Sequence, residues 1–402
     1  MKNISKAITA GMLLAVSLVA LSAGSVPVWA QLEDGPRPTA PDNTPLGEPN
    51  MANIIKTYGL IETKQPAREF IKGWRKPKKI LVLLDNNVHR LDWVKEVVPA
   101  DVQLVGITRS DSARYLTELK DADGVMGQCR KDSFGGIGPN IHWLHNTGVG
   151  IDQCFTGAVI PERMKDGSVA ISNSSRLEGN SVAGHAIALM MALSRGLDQY
   201  VLQDQTQKFT TETYPRMWSL QGRTIVIAGL GGVGSGMASM ASGLGMRVLA
   251  TNGSIPANPP DYIEHIGLPD ELGTLVGEAD VVMTALPLTA QTTGLFNAAM
   301  FAKFKKGAIF VNVTREEEQV DADLVAALAS GQVSSTGQDS VVPSSPLWKA
   351  RNIIITPHVA AQNVDPMLSR GGEQTWDVAR ENLRRFVNGD KMLSVIDPVK
   401  GY

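Results

Sequence analysis

The chain has 402 residues, 38 Lys plus Arg against 40 Asp plus Glu, a formal net charge of -2 and 43% hydrophobic residues. This is ordinary globular composition with room for two domains of roughly 150 residues, and it excludes disordered and collagen-like chains. The near-neutral balance gives no electrostatic footprint for a nucleic-acid partner. Two cysteines, Cys129 and Cys154, and six histidines without HExxH or CxxC spacing exclude a disulfide scaffold and support no metal site.

Lys2 and Lys6 precede an apolar centre from Ile8 to Leu21 that closes on Val28-Trp29-Ala30. That is the layout of a secretory signal peptide over residues 1–30, so export to the periplasm is expected, with no membrane attachment after cleavage. Residues 31–50 hold five prolines and no apolar periodicity and read as a linker. Met51 offers the alternative of an internal start and a cytoplasmic protein.

From Lys79 the chain reads KILVLLD, VQLVGIT, DGVMG, IHWLHNTG and SVAISN, short apolar runs separated by helix-compatible segments. A strongly apolar helix is expected over 182–200, buried between domains or subunits. A second series follows: RTIVIAGL, MRVLATN, DVVMTAL, AIFVNVT and NIIITP, at least five strands. Strand-helix alternation of this kind predicts an α/β protein with two doubly wound parallel sheets.

Strand RTIVIA runs into Gly229-Leu230-Gly231-Gly232-Val233-Gly234 and then a small-residue helix. Gly229 allows the tight turn, Gly231 lets backbone amides reach a pyrophosphate, and Gly234 permits close helix-strand packing, with the helix N-terminus facing the anion. About 18 residues beyond Gly234 the next strand ends in Asn252, where an acid would ordinarily hold the ribose hydroxyls. An amide does not repel a 2′-phosphate, so NADP is favoured over NAD.

These segments resemble the D-isomer-specific 2-hydroxyacid dehydrogenase family from about Lys79 to Asp397. The matching stretches are HNTGVGID (145–152), LQGRTIVIAGLGGVG (220–234), ALPLTAQTTGLF (285–296), GAIFVNVTR (307–315) and SPLWKARNIIITPHVAA (345–361). The resemblance implies a flavodoxin-like substrate domain from residues 51–180 and 360–402, a Rossmann NAD(P)-binding domain from 181–359, and a homodimer. It implies hydride transfer between NAD(P)H and a small 2-keto or D-2-hydroxy acid. Arg315 would anchor the substrate carboxylate with the amides of Gly148, Val149 and Gly150, and His358 would be the general acid, roles that suit a planar guanidinium and an imidazole. Gly232 and Val233 would meet the pyrophosphate, Leu286, Pro287 and Thr292 the adenosine side, Val313 the nicotinamide and Asp339 its carboxamide.

Three departures stand out. The glutamate that partners the catalytic histidine in the family is missing from DSVVPSSPLW, and Arg315 is followed by Glu316, Glu317 and Glu318 instead of glycine. The acids read as solvated helix-start residues. The family's VAEH reads Val182-Ala183-Gly184-His185, with His185 read as a packed helix residue. Export and the missing glutamate together raise the alternative of an exported, non-catalytic binding or sensory module. Whether Cys129 and Cys154 are bridged is open from sequence.

Overall fold

The computed structural model describes residues 47–401 except 86, 88, 109, 130–139, 156–158, 202–206, 208, 210, 212–216 and 362–369. The expected signal segment and most of the proline-rich linker therefore lie outside the described residues.

The first sheet holds β1 (Lys79–Leu84), β2 (Gln103–Thr108), β3 (Gly124–Gly127), β4 (Trp143–Asn146) and β5 (Ala170–Asn173). Its order is β2-β1-β3-β4-β5 with every pair parallel, the flavodoxin-like arrangement. β3, β4 and β5 are buried at every position, as strands of a parallel sheet covered on both faces are, including the polar His145, Asn146, Ser172 and Asn173 at the ends of β4 and β5.

The second sheet holds β6 (Thr224–Ala228), β7 (Arg247–Thr251), β8 (His265–Gly267), β9 (Val281–Thr284), β10 (Ala308–Asn312), β11 (Val333–Gln338) and β12 (Ile353–Ile355). The order β12-β11-β10-β9-β6-β7-β8, again parallel throughout, is the Rossmann order extended by one strand. β11, of sequence VSSTGQ, escapes a hydrophobic reading because its interior is polar. Thr336 donates its hydroxyl to the Phe310 carbonyl at 2.9 Å, and Gln338 donates to Thr336 Oγ1 at 2.7 Å.

The apolar helix runs Gly179–Ser194 and is followed by a separate turn of helix, Leu197–Tyr200. The single helix expected over 182–200 is thus broken at Gly196, whose φ of 65° is a left-handed conformation that suits glycine. Its buried face, Val182, Ala183, Ala186, Ile187, Met190 and Leu193, joins the core of the seven-stranded sheet. The approach to the helix Gly232–Gly243 is set by backbone: a Cβ on Gly179 would stand 2.7 Å from the Gly232 carbonyl oxygen, and one on Gly236 2.9 Å from Ala183 Cβ.

The chain's end returns to the first sheet. On the helix Arg370–Asn388, Trp376, Ala379, Leu383 and Phe386 pack with Ile80, Val82, Met126 and Trp143. Trp143 stacks on Phe386 with ring centroids 5.1 Å apart. Beyond the helix, the Ile396 amide donates to the Ile171 carbonyl at 2.8 Å. The same region holds the start of the described chain: Arg380 forks onto Glu48 at 2.9 and 3.0 Å and lies over the Trp93 ring, whose indole donates to the Gly47 carbonyl.

Cys129, two residues after β3, is bonded to Cys154, with Cα atoms 5.2 Å apart. Gly179→Ala should cost about 1–3 kcal/mol, because a backbone carbonyl cannot yield to the added methyl as a side chain would. Urea unfolding of the variant beside the parent protein measures this.

Candidate active site

In each sheet all strands are parallel, so their C-terminal ends share one edge, and the site residues of the seven-stranded sheet sit on that edge. The Gly229–Gly234 turn follows β6, Leu286 and Pro287 follow β9, Val313 and Arg315 follow β10, Asp339 follows β11 and His358 follows β12. β6 lies between β7 and β9, which is where the strand order reverses and a crevice opens.

The glycine turn is built as its spacing requires. Gly229 has φ 96°, and a Cβ there would lie 2.7 Å from the Ala285 carbonyl oxygen; one on Gly234 would lie 1.8 Å from the Gly229 carbonyl oxygen. A Cβ on Gly231, by contrast, meets nothing within 4 Å, so the face of the turn at the start of the Gly232–Gly243 helix is open to a phosphate. Asn252 braces this turn: its Oδ1 accepts the Leu230 amide at 3.3 Å while its Nδ2 donates to the Ser254 carbonyl at 2.8 Å. Across the crevice Thr292 closes the loop after β9, donating to the Pro287 carbonyl at 2.6 Å and accepting the Thr289 amide at 2.8 Å. Leu286 packs against the phenylalanine-rich core, and Val313 is 5% exposed in the core beneath the Gly179–Ser194 helix. The pocket residues therefore fit a dinucleotide.

Arg315 reaches the other sheet. Its Nε and Nη2 donate to Asp152 Oδ1 at 3.1 and 2.8 Å, and Nη1 donates to the Thr314 carbonyl at 2.9 Å. A Cβ on Gly150 would stand 1.8 Å from Nη2, so this guanidinium occupies the space that only a glycine leaves. The carbonyls of the 148–150 loop are tied down: Asn146 Nδ2 donates to those of Gly148 and Gly150 at 3.2 and 2.6 Å, and Asn173 Nδ2 to that of Val149 at 2.7 Å. The amides of 148–150 have no acceptor among the described residues. Structure thus joins Arg315 with Gly150, and adds Asp152, which sequence reasoning passed over although it ends the HNTGVGID stretch.

His358 is exposed and has φ 57°, a left-handed conformation that histidine adopts more readily than most residues. Asp339 holds that turn from below. Its Oδ1 accepts the Val359 amide at 3.0 Å and the Thr356 hydroxyl at 2.5 Å, and its Oδ2 accepts the Ala360 amide at 2.9 Å. Asp339 is fully buried, with both oxygens engaged around the histidine turn. His185 is more than a packing residue, because its Nε2 lies 2.9 Å from Thr356 Oγ1 and 3.7 Å from Asp339 Oδ1. Ser340 links the two halves of the site, donating to the Thr314 carbonyl at 3.0 Å and bridging Pro357. No carboxylate is hydrogen-bonded to the His358 ring among the described residues.

Of the acids after Arg315, Glu317 is exposed as the solvated reading expects, whereas Glu318 is buried and departs from it. Glu316–Glu318 form a 3-10 turn, and the carbonyls of Glu317 and Glu318 accept the amides of Gly294 and Phe296, which turns Glu318 inward. Its oxygens accept the Thr314 and Thr284 hydroxyls at 2.9 and 2.5 Å. Burial pushes its carboxyl up to about 7, against the pull of those hydroxyls and Arg315. Glu316 is raised to about 6, chiefly by burial and further by Asp321, while the Val342 amide at 2.6 Å works the other way. On β4, His145 is buried with Nδ1 2.8 Å from Ser172 Oγ, and burial lowers its imidazole to about 3.

Residues 187–360 match the model of the D-isomer specific 2-hydroxyacid dehydrogenase NAD binding domain. The chain is 30% identical over 262 residues to a hydroxypyruvate reductase of Blautia hydrogenotrophica, covering 62% of this chain and 77% of that protein. It is 30% identical over 301 residues to a D-3-phosphoglycerate dehydrogenase of Archaeoglobus fulgidus, covering 73% of this chain and 55% of the longer relative. Among solved structures, the NADPH-dependent glyoxylate/hydroxypyruvate reductase of Sinorhizobium meliloti, in complex with NADP and sulfate, superimposes with a TM-score of 0.65 at 22% identity. That match covers 81% of this chain and 100% of the other.

Glu318 stays protonated in the fold up to about pH 7 while the unfolded chain ionises near 4.5, so its contribution to stability is lost as pH rises between these values. His145 acts in the opposite sense: the unfolded chain takes up a proton below 6.5 that the buried ring refuses, so stability falls as pH drops towards 3. Glu318→Gln should match the parent near pH 4.5 and exceed it near pH 8 by up to about 3 kcal/mol. Urea unfolding at the two pH values measures the difference.

Proposed function

The chain belongs to the D-isomer-specific 2-hydroxyacid dehydrogenase family, and on that premise we propose that it moves a hydride between NAD(P)H and a small 2-keto or D-2-hydroxy acid. It is an NAD(P)-dependent dehydrogenase. The observation that carries the site assignment is the common strand edge, where the open glycine turn after β6, Arg315 after β10 and His358 after β12 stand on one sheet.

The glycine turn and the N-terminus of the Gly232–Gly243 helix would hold the pyrophosphate, Leu286, Pro287 and Thr292 would line the crevice opposite, and Val313 would form the wall at the nicotinamide end. A bound nicotinamide supplies or takes the hydride. Arg315 and the amides of 148–150 hold the substrate carboxylate, and the guanidinium draws electron density from the adjoining carbonyl. His358 gives a proton to the carbonyl oxygen on reduction and recovers it on oxidation. Asp339 works by holding the 356–360 turn, since both of its oxygens are engaged there. Asn252 leaves the ribose pocket without a carboxylate, which supports NADP over NAD.

The Cys129–Cys154 bond supports an oxidising compartment and so export by the segment 1–30. Exposed Met191, Leu197 and Val201 on the Gly179–Ser194 helix and just beyond it support a homodimer. The absence of a carboxylate at the His358 ring among the described residues favours a second reading, an exported binding module without turnover.

His358→Ala should lower 2-keto acid reduction by about 100-fold or more with cofactor binding retained; an unchanged rate would remove His358 from the mechanism. Fluorescence titration with NADPH and NADH should give micromolar binding, tighter for NADPH. Failure to bind either would leave the binding-module reading.

A further inference from the structure

We propose that Asp152 and the Cys129–Cys154 bridge are positioning elements of the anion site: the bridge fixes the turn that carries Asp152, and Asp152 presets the Arg315 guanidinium for a substrate carboxylate. This rests on the 2-keto acid reading above.

The donor count of Arg315 makes the case. A guanidinium has five N–H groups. Asp152 Oδ1 takes the one on Nε and one on Nη2, and the Thr314 carbonyl takes one on Nη1. What remains is one N–H on each terminal nitrogen, and these two nitrogens form the end of the fork that meets the two oxygens of a carboxylate. Asp152 therefore does not consume the fork; it locks the rotation of the guanidinium about the long side chain and leaves the end free. Holding it in advance removes a rotamer-ordering cost that substrate would otherwise meet on binding. Asp152 and Arg315 are each about a quarter exposed, at 24% and 25%, so the pair lies at a surface that a small acid can reach.

The bridge acts on the same loop. Asp152 opens the 3-10 turn Asp152–Phe155, in which Cys154 is completely buried and its amide donates to the Ile151 carbonyl at 2.8 Å. Cys129 is anchored at the end of β3 by its own amide, which donates to Asn146 Oδ1 at 3.0 Å, while the Nδ2 of that asparagine clasps the carbonyls of Gly148 and Gly150. One covalent bond and one amide side chain thus fasten the two ends of 146–154 to the same strand end. The loop that aims its amides at the anion and the carboxylate that aims Arg315 share this anchor.

The test compares Asp152→Asn, Asp152→Glu and the double variant Cys129→Ala/Cys154→Val with the parent, reading KM and kcat for 2-keto acid reduction at saturating cofactor, with the cofactor Kd and Tm alongside. Asp152→Asn should raise KM about tenfold, leave kcat within about twofold and leave the cofactor Kd unchanged, the split expected when substrate binding alone is lost; Asp152→Glu should recover part of the loss. The double variant should raise KM several-fold at temperatures well below its Tm, and the parent reduced with a phosphine should do the same without any substitution. An unchanged KM in Asp152→Asn overturns the role of Asp152. A lower Tm with the parent KM, in the double variant or in the reduced parent, overturns the role of the bridge. If the parent reduces no 2-keto acid, the functional reading fails by itself, and the positioning claim is then read from the rise in Tm caused by oxalate. A smaller rise in Asp152→Asn than in the parent supports it, and an equal rise overturns it.

Discussion

The constraint on which the rest of the structure depends is the absence of side chains where backbone meets backbone. Gly234 lies against the carbonyl of Gly229, Gly229 against that of Ala285, and Gly179 against that of Gly232, at distances that no Cβ tolerates. These contacts press the end of β6, the end of β9 and two helices into one seam. Only then do the first amides of the Gly232–Gly243 helix stand at the sheet's switch point. The crevice is thus a product of close packing, and its open face at Gly231 is the one place in the turn where the missing side chain leaves free volume.

On this scaffold the strand ends are finished with buried polar side chains that hold loops. Asn146, Asn173, Asn312 and Asp339 all follow this scheme. Asn312 accepts the amide of Thr314 at 3.0 Å and donates to the carbonyl of Arg315 at 2.9 Å. Asp339 does the same for the turn at His358. A strand end leaves backbone groups unpaired, and a short amide or carboxylate satisfies them while setting the direction of the next residue. The candidate substrate residues Arg315 and His358 are half-buried and exposed, while Asn312 and Asp339, which hold the loops carrying them, are buried.

That arrangement carries an electrostatic cost. Glu318 lies under Arg315 with hydroxyls as its hydrogen-bond partners among the described residues, and its carboxyl is raised to about 7 by burial. His145 sits neutral in the first sheet with Nε2 unpaired among the described residues. The two groups pull stability in opposite directions with pH, so the fold balances an acid that resists ionising against a base that resists protonation.

By itself the sequence determined the architecture. The apolar runs and the Gly229–Gly234 spacing led to two parallel sheets and a dinucleotide crevice, because hydrophobic periodicity and glycine spacing are local properties of a chain; the resemblance motifs put forward Arg315 and His358 as the candidate reactive pair. It left β11 and β8 unseen, since VSSTGQ buries polar groups through hydrogen bonds and HIG is too short to carry a pattern. It joined two helices across Gly196, where a left-handed residue interrupts an otherwise continuous apolar run. Tertiary structure alone decided the pairings that cross the chain: Asp152 with Arg315 over 163 positions, Cys129 with Cys154, His185 with Thr356 and Asp339, and the inward turn of Glu318. Those depend on which strand ends become neighbours, and no periodicity within a segment encodes a distance between segments.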